Sequence, residues 1–158
     1  MAKTNEVLEG YLDAKGMRFA VVVPRFNDIV CERLLAGAID CFERHGGPAE
    51  GMTVARVPGA WEVALMADRL SGSGKYDAVI AIGALIRGET PHFDMIASSV
   101  TRSLVQSSIG SGVPVIFGIL TTDTLEQAME RAGAKAGNKG WEAALSAIEM
   151  VSLYRRMA

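Results

Sequence analysis

Four short apolar runs, Phe19–Val23, Thr53–Val57, Ala78–Leu85 and Val113–Leu120, limit what this chain can fold into. Each is rich in Val and Ile, and the first, third and fourth are nearly continuous in apolar character. A strand with one wet face alternates apolar and polar residues. A strand covered on both faces has no such alternation, so these runs read as the interior of a sheet buried on both sides.

The segments between them carry helical spacing. Val30, Leu34, Leu35, Ala38, Ile39 and Phe42 recur every three or four residues, with Asn27 and Asp28 as capping residues and Gly46-Gly47 as the stop. A second helix is expected over about 60–70, ended by Ser71–Gly74, and a third over about 93–108, with Ile96, Val100 and Leu104 in one row. The other faces of the third carry Ala97, Ser98, Ser99, Ser103 and Ser107, a surface suited to close packing or shared water. A short helix over about 125–132 precedes the loop Gly133–Gly137, and a last one over about 139–155 aligns Trp141, Ala144, Leu145, Ile148 and Val151. Strands alternating with helices imply parallel pairing with crossovers on both faces. The expected architecture is an α/β three-layer sandwich, flavodoxin-like, with a four-stranded parallel sheet. No repeat, low-complexity tract or linker interrupts residues 1–158, so one domain is expected. Glu6–Leu12 has the makings of an extra edge strand, one that adds to a neighbouring subunit's sheet.

Composition excludes several classes of function. Hydrophobic residues make up 49% of the 158 and charged ones 22%, and the formal net charge is −2 with no block of like charges. A nucleic-acid surface needs a basic stripe, which is missing. The first ten residues contain no apolar leader segment and no run approaches the roughly 18 residues of a membrane span, so a cytoplasmic protein without a membrane partner is expected. Cys31 and Cys41, ten apart on one helix, would stand about 15 Å from each other, too far for a disulfide. His45 and His92 are distant in sequence, and no Cys/His/Asp group has metal-ligand spacing. No bound metal or cofactor is expected.

Ligands of open α/β sheets bind outside the carboxyl ends of the strands, and here all four ends are informative. They lead into Pro24-Arg25-Phe26-Asn27-Asp28, into Pro58-Gly59-Ala60-Trp61-Glu62, into Gly83 through His92, and into Thr121-Thr122 after Phe117-Gly118-Ile119-Leu120. Such a meeting of aromatic, glycine and polar residues suits a flat heteroaromatic ligand with a polar tail. Each residue also has a plainer reading. Phe26 is a staple for the helix it precedes or a platform for a planar ring. Glu62 offsets a positive helix start or receives hydroxyls from a polyol. Gly88-Glu89-Thr90 offers backbone N–H groups and a hydroxyl to an anion. His92 is structural or, with an imidazole titrating near neutrality, a proton carrier. Arg131 offsets a helix end or clamps a phosphate. Lys135 and Lys139 support the same anion or are solvated charges.

Together these segments resemble the lumazine synthase family over nearly the whole chain. The resemblance rests on Arg25-Phe26-Asn27-Asp28, Val57-Pro58-Gly59-Ala60-Trp61-Glu62, Ile86 through Asp94 (Ile-Arg-Gly-Glu-Thr-Pro-His-Phe-Asp), Gly112 through Gly118, and Glu130-Arg131-Ala132-Gly133 through Lys139-Gly140. Each is modestly specific; five in order and correctly spaced are far more so. It implies condensation of 5-amino-6-(D-ribitylamino)uracil with 3,4-dihydroxy-2-butanone 4-phosphate. It implies that Phe26 stacks on the pyrimidine, and that Ala60, Trp61, Glu62, Ala84, Leu85 and Ile86 hold the ring and ribityl chain. Glu89, Thr90 and Arg131 would bind phosphate, and His92 would transfer the proton. Phe117 and Arg131 would reach in from an adjacent subunit. Departures are small: Trp61 stands where Phe is frequent, and Pro24 where a small residue is usual.

The resemblance further implies a homo-oligomer, a pentamer or a 60-subunit icosahedral shell of twelve pentamers, and riboflavin synthase as a candidate partner. The link Ala132–Gly140 is short, without the insertion often carried by members that stop at pentamers or their dimers, which permits the shell. Two rival readings remain: a relative that only holds a flavin, and a purely shell-forming one. Loss of His92 or Arg131 would mark the first, and both are present; retention of the polar site residues argues against the second.

Overall fold

The computed structural model describes residues 5–134 and 137–158. Four parallel strands, β1 (Phe19–Pro24), β2 (Met52–Val57), β3 (Ala78–Ile86) and β4 (Val115–Thr122), form one sheet in the order β2-β1-β3-β4. Around it lie α1 (Asp28–Arg44), α2 (Ala60–Ser71), α3 (His92–Ser111), the short α4 (Leu125–Glu130) and α5 (Lys139–Met157). The expected three-layer, flavodoxin-like sandwich is what forms.

The central strands explain their own sequence. Successive side chains point to opposite faces, and here both faces meet helices. Phe19, Val21, Val23, Ile80 and Ile82 join a core with α1 and α5, where Phe19 and Phe42 bring their ring centroids to 5.0 Å. Ala20, Val22, Val79 and Ala81 join a second core with α2 and α3. Every residue of β1 is buried. At about 1.5–3 kcal/mol for each large apolar side chain removed from water, this double burial is the main drive for the fold. At the edge, β2 is largely exposed, which is why its run is the least continuous of the four.

The strand order also sets the site. From β1 the chain moves to one side to make β2, then returns past β1 to make β3 on the other. The carboxyl ends of β1 and β3 therefore diverge into loops running opposite ways, and a crevice opens between them.

Three places differ from expectation. β4 begins at Val115 because Gly112 takes a left-handed turn (φ 73°) and Val113 is held by Ser111 and Ser108. Pro114, lacking an N–H, contributes only its carbonyl, to the Val79 amide at 2.9 Å. α4 ends at Glu130. Glu6–Leu12 forms no strand in this protomer; it lies along α5, with the Tyr11 amide donating to Ser152 Oγ (2.6 Å) and Arg156 to the Glu9 carbonyl (2.8 Å).

The α1–α5 contact places one end of the chain's functional loops. Asn138 caps α5 with Oδ1 accepting from the Gly140 and Trp141 amides at 2.8 and 3.1 Å, while its Nδ2 donates to the Arg33 and Ala132 carbonyls at 3.0 and 3.3 Å. Both cysteines are buried and free, as spacing required.

Candidate functional site

A cleft of about 630 Å³ opens at the crevice between β1 and β3. Nine of the twelve residues anticipated from sequence line it: Phe26, Ala60, Trp61, Glu62, Ala84, Leu85, Ile86, Thr90 and His92. They come from the loops after β1, β2 and β3, so no single segment makes the site.

Local structure explains how each is held. After β1 the chain turns sharply at Pro24, and the Arg25 and Phe26 amides donate to the Val57 and Pro58 carbonyls at 2.8 and 3.1 Å. These bonds lash the first loop to the second and leave the Phe26 ring standing 72% exposed at the cleft mouth. As a hydrophobic staple it would be packed; its exposure in this protomer leaves a ring face free. Trp61, on the first turn of α2, is likewise 62% exposed. Glu62 follows it, and a β-carbon at Gly59 would come within 3.3 Å of its carboxylate, so the missing side chain leaves that carboxylate room. The floor is the carboxyl end of β3, where Ala84 is buried and Leu85 and Ile86 half-buried.

His92 is the first residue of α3 and is exposed to the cleft. The opening N–H groups of a helix have no intrahelical acceptor, and here they sit beside Gly88 and Thr90 in the same lining. An anion at that point would meet both the free donors and the positive end of the helix. Glu89 lies in the same loop, exposed, without lining the cleft.

Phe117 and Arg131 are elsewhere. They line a second, more open cleft of about 880 Å³ along the β4 edge, with Thr121, Gln127 and Arg102. Arg131 follows α4 as its C-cap and donates from its guanidinium to the Gln127 carbonyl at 3.0 Å, and Phe117 is 48% exposed. Larger though it is, this second cleft contains no imidazole and only two of the anticipated residues, whereas the smaller one gathers nine. Lys139 pairs with Glu142 at 3.2 Å. Lys135 lies outside the described residues.

Phe93 faces both clefts. The Arg87 guanidinium lies 4.4 Å from its ring centroid and bonds Asp123 (2.9 Å) and Asp94 (3.2 Å). Those two hydrogen bonds, Asp123 first, hold Arg87 still more firmly protonated. The group ties the ends of β3 and β4 to the first turn of α3.

Sequence reasoning did not single out Phe93, Arg87 or Asn27 as site residues. Phe93 reads as the start of a helix and Arg87 as a loop charge. Asn27 reads as a cap, yet it makes no side-chain cap; its backbone is left-handed (φ 58°, ψ 43°) and its amide Nδ2 donates to the Ala84 carbonyl at 2.8 Å. The tolerance of Asn for left-handed backbone at a strand-to-helix turn was the one available signal. Among the described residues no cluster of three or more His, Cys, Asp or Glu side chains is disposed to hold a metal, and no helix is long and apolar enough to cross a membrane.

Fold and cleft together define a flavodoxin-like α/β protein with an open cleft at the switch point of its parallel sheet. Residues 16–155 match the family described as 6,7-dimethyl-8-ribityllumazine synthase, and the chain belongs to that family. A relative of that name from Chlorobium luteolum is 55% identical over 95% of this chain and 97% of its own. One from Chloroherpeton thalassium is 57% identical over 96% and 98%, and one from Desulfatibacillum aliphaticivorans 56% identical over 93% and 95%.

Proposed function

We propose that the protein is a transferase of riboflavin biosynthesis that condenses 5-amino-6-(D-ribitylamino)uracil with 3,4-dihydroxy-2-butanone 4-phosphate to 6,7-dimethyl-8-ribityllumazine. The observation that carries this is the cleft itself: an exposed ring (Phe26), a carboxylate (Glu62) and an imidazole (His92) at one strand-end crevice in a member of the family. Phe26 stacks on the pyrimidine. Ala60, Trp61, Glu62, Ala84, Leu85 and Ile86 hold the ring edge and ribityl chain, the Glu62 carboxylate accepting from hydroxyls. Glu89 and Thr90 offer N–H groups to the phosphate.

The chemistry asks little of the protein. The substrate amine adds to the ketone and water leaves, giving an imine; phosphate is then eliminated, and the ring closes with loss of a second water. His92 takes and returns protons, an effect of about 10²–10⁴-fold. Holding two reactants together contributes as much or more.

The separation of Phe117 and Arg131 from His92 supports a site completed between subunits. The β4-edge cleft of one protomer would close against the β1–β3 cleft of the next, bringing a guanidinium to the phosphate. Under this reading 1–158 is one domain, a cytoplasmic protomer of a pentamer or of a shell of twelve pentamers. Riboflavin synthase, which consumes the product, is then a natural partner. Mixing the pure protein with both substrates and following lumazine absorbance tests the activity; absence of product from an assembled protein would refute it.

A further inference from the structure

Asn27 is the one non-glycine residue with positive φ among the described residues. β1 and β3 pair only from Phe19↔Ala78 to Val22↔Ala81, because β1 ends at Pro24 and the chain turns away. β3 continues to Ile86, so its last residues overhang the cleft with no β1 backbone beside them. At Ala84 the Asn27 carboxamide supplies what β1 does not, a donor 2.8 Å from the carbonyl, across 57 residues of sequence. The backbone carbonyl of Asn27 meanwhile accepts from the Val30 and Cys31 amides at 3.1 and 3.0 Å, starting α1. One half-buried residue thus holds the loop bearing Phe26 and the strand end that floors the cleft.

We propose that Asn27 is a positioning residue, fixing the Ala84 peptide and the Phe26 turn relative to one another so that ring face and ring edge of the pyrimidine are met together. The inference rests on the reading of this cleft as the pyrimidine site. A left-handed backbone strongly favours Gly, Asn or Asp, which makes two informative variants available. Asn27→Gly keeps the turn and removes the donor. Asn27→Asp keeps turn and shape but, ionised, sets a carboxylate against a carbonyl oxygen; protonated, it becomes a donor again.

The test is steady-state kinetics for both substrates at pH 8 and lumazine binding from pH 8 down to about 4, where an ordinary aspartic acid is close to half protonated, on variants whose melting and assembly match the unsubstituted protein. At pH 8 both variants should raise KM for the pyrimidine about tenfold, the effect of one hydrogen bond, with KM for the ketose phosphate within about twofold. Lumazine affinity of Asn27→Asp should then recover on acidification while Asn27→Gly stays weak. The titratable and charged groups nearby, Arg25 before the turn, Asp28 and Cys31 of α1, Glu62 of α2 and His92 of α3, are present in both variants, so Asn27→Gly reports the pH dependence of the cleft itself. Equal rises in both KM values, unchanged binding, or identical pH profiles for the two variants would overturn the proposal. An assembled, unsubstituted protein that makes no lumazine would instead overturn the reading on which it rests.

Discussion

His92 and Arg131 of one protomer line different clefts, with Phe93 facing into both from the first turn of α3. If the working site needs both, it must take them from two copies of the chain. Mixing has a definite consequence: a His92→Ala protein and an Arg131→Ser protein, denatured together and reassembled at equal concentration, should recover about a quarter of the unsubstituted activity. A site between neighbours draws each residue independently, so half times half of the sites regain both. No recovery in mixed assemblies of normal mass would show that each protomer uses its own pair.

The two residues should also fail differently. His92→Ala is expected to lower kcat by about 10²–10⁴-fold and leave measurable turnover, since proximity survives. Arg131→Ser removes a charge-assisted clamp and should raise KM for the ketose phosphate about tenfold or more, with KM for the pyrimidine little changed. Separate titrations of each substrate in stopped assays distinguish these patterns.

Gly140 packs directly on the backbone of α1, where a β-carbon would overlap the Leu34 carbonyl oxygen. Neither group is the end of a flexible side chain, so α1 and α5 must move apart to admit one. Gly140→Ala should destabilise by about 1–3 kcal/mol through overpacking, read as a lower midpoint in urea. Because Asn138 caps α5 beside the loop carrying Arg131, KM for the phosphate should rise as well.

Burial pushes the Cys31 thiol up to about 12 and the Cys41 thiol up to about 11, with Glu32 and Asp40 as the next contributors respectively. Both neutral thiols are thus favoured by folding. Above about 9, where the unfolded chain ionises them, the unfolded state holds fewer protons, so stability must fall as pH rises towards 11–12. Below 9 they contribute no slope. Cys31→Ala should flatten the decline in unfolding free energy between pH 9 and 11, and the native thiols should resist alkylation at pH 8 until denaturant is added. A slope unaltered by the substitution would place the alkaline lability in other groups.

Much of this protein is legible in its residues because burial on two faces is written locally. Phe19–Val23 and Ala78–Leu85 show no polar alternation for the plain reason that helices cover both sides, and that absence implies parallel strands with crossovers. Parallel crossovers in turn put the loops with Phe26, Glu62 and His92 at one end of the sheet. Function was readable for a related reason: five short motifs keep their order and spacing, and residues 16–155 belong to the family those motifs resemble.

What the chain order could not express is which strand ends become neighbours. The sheet order β2-β1-β3-β4 sets β1, which ends at Pro24, against the longer β3, so that Asn27 spends its amide on the distant Ala84 carbonyl instead of capping its own helix. The same order puts β4 at an edge and leaves Phe117 and Arg131 on the far side of α3 from His92. Glu6–Leu12 is as apt for a strand as for a strap, and hydrogen bonds from α5, about 140 residues away, make it a strap in this protomer. Local pattern sets how a segment buries its faces; only long-range packing chooses its partners, because unpaired backbone groups are satisfied by whatever the fold brings alongside.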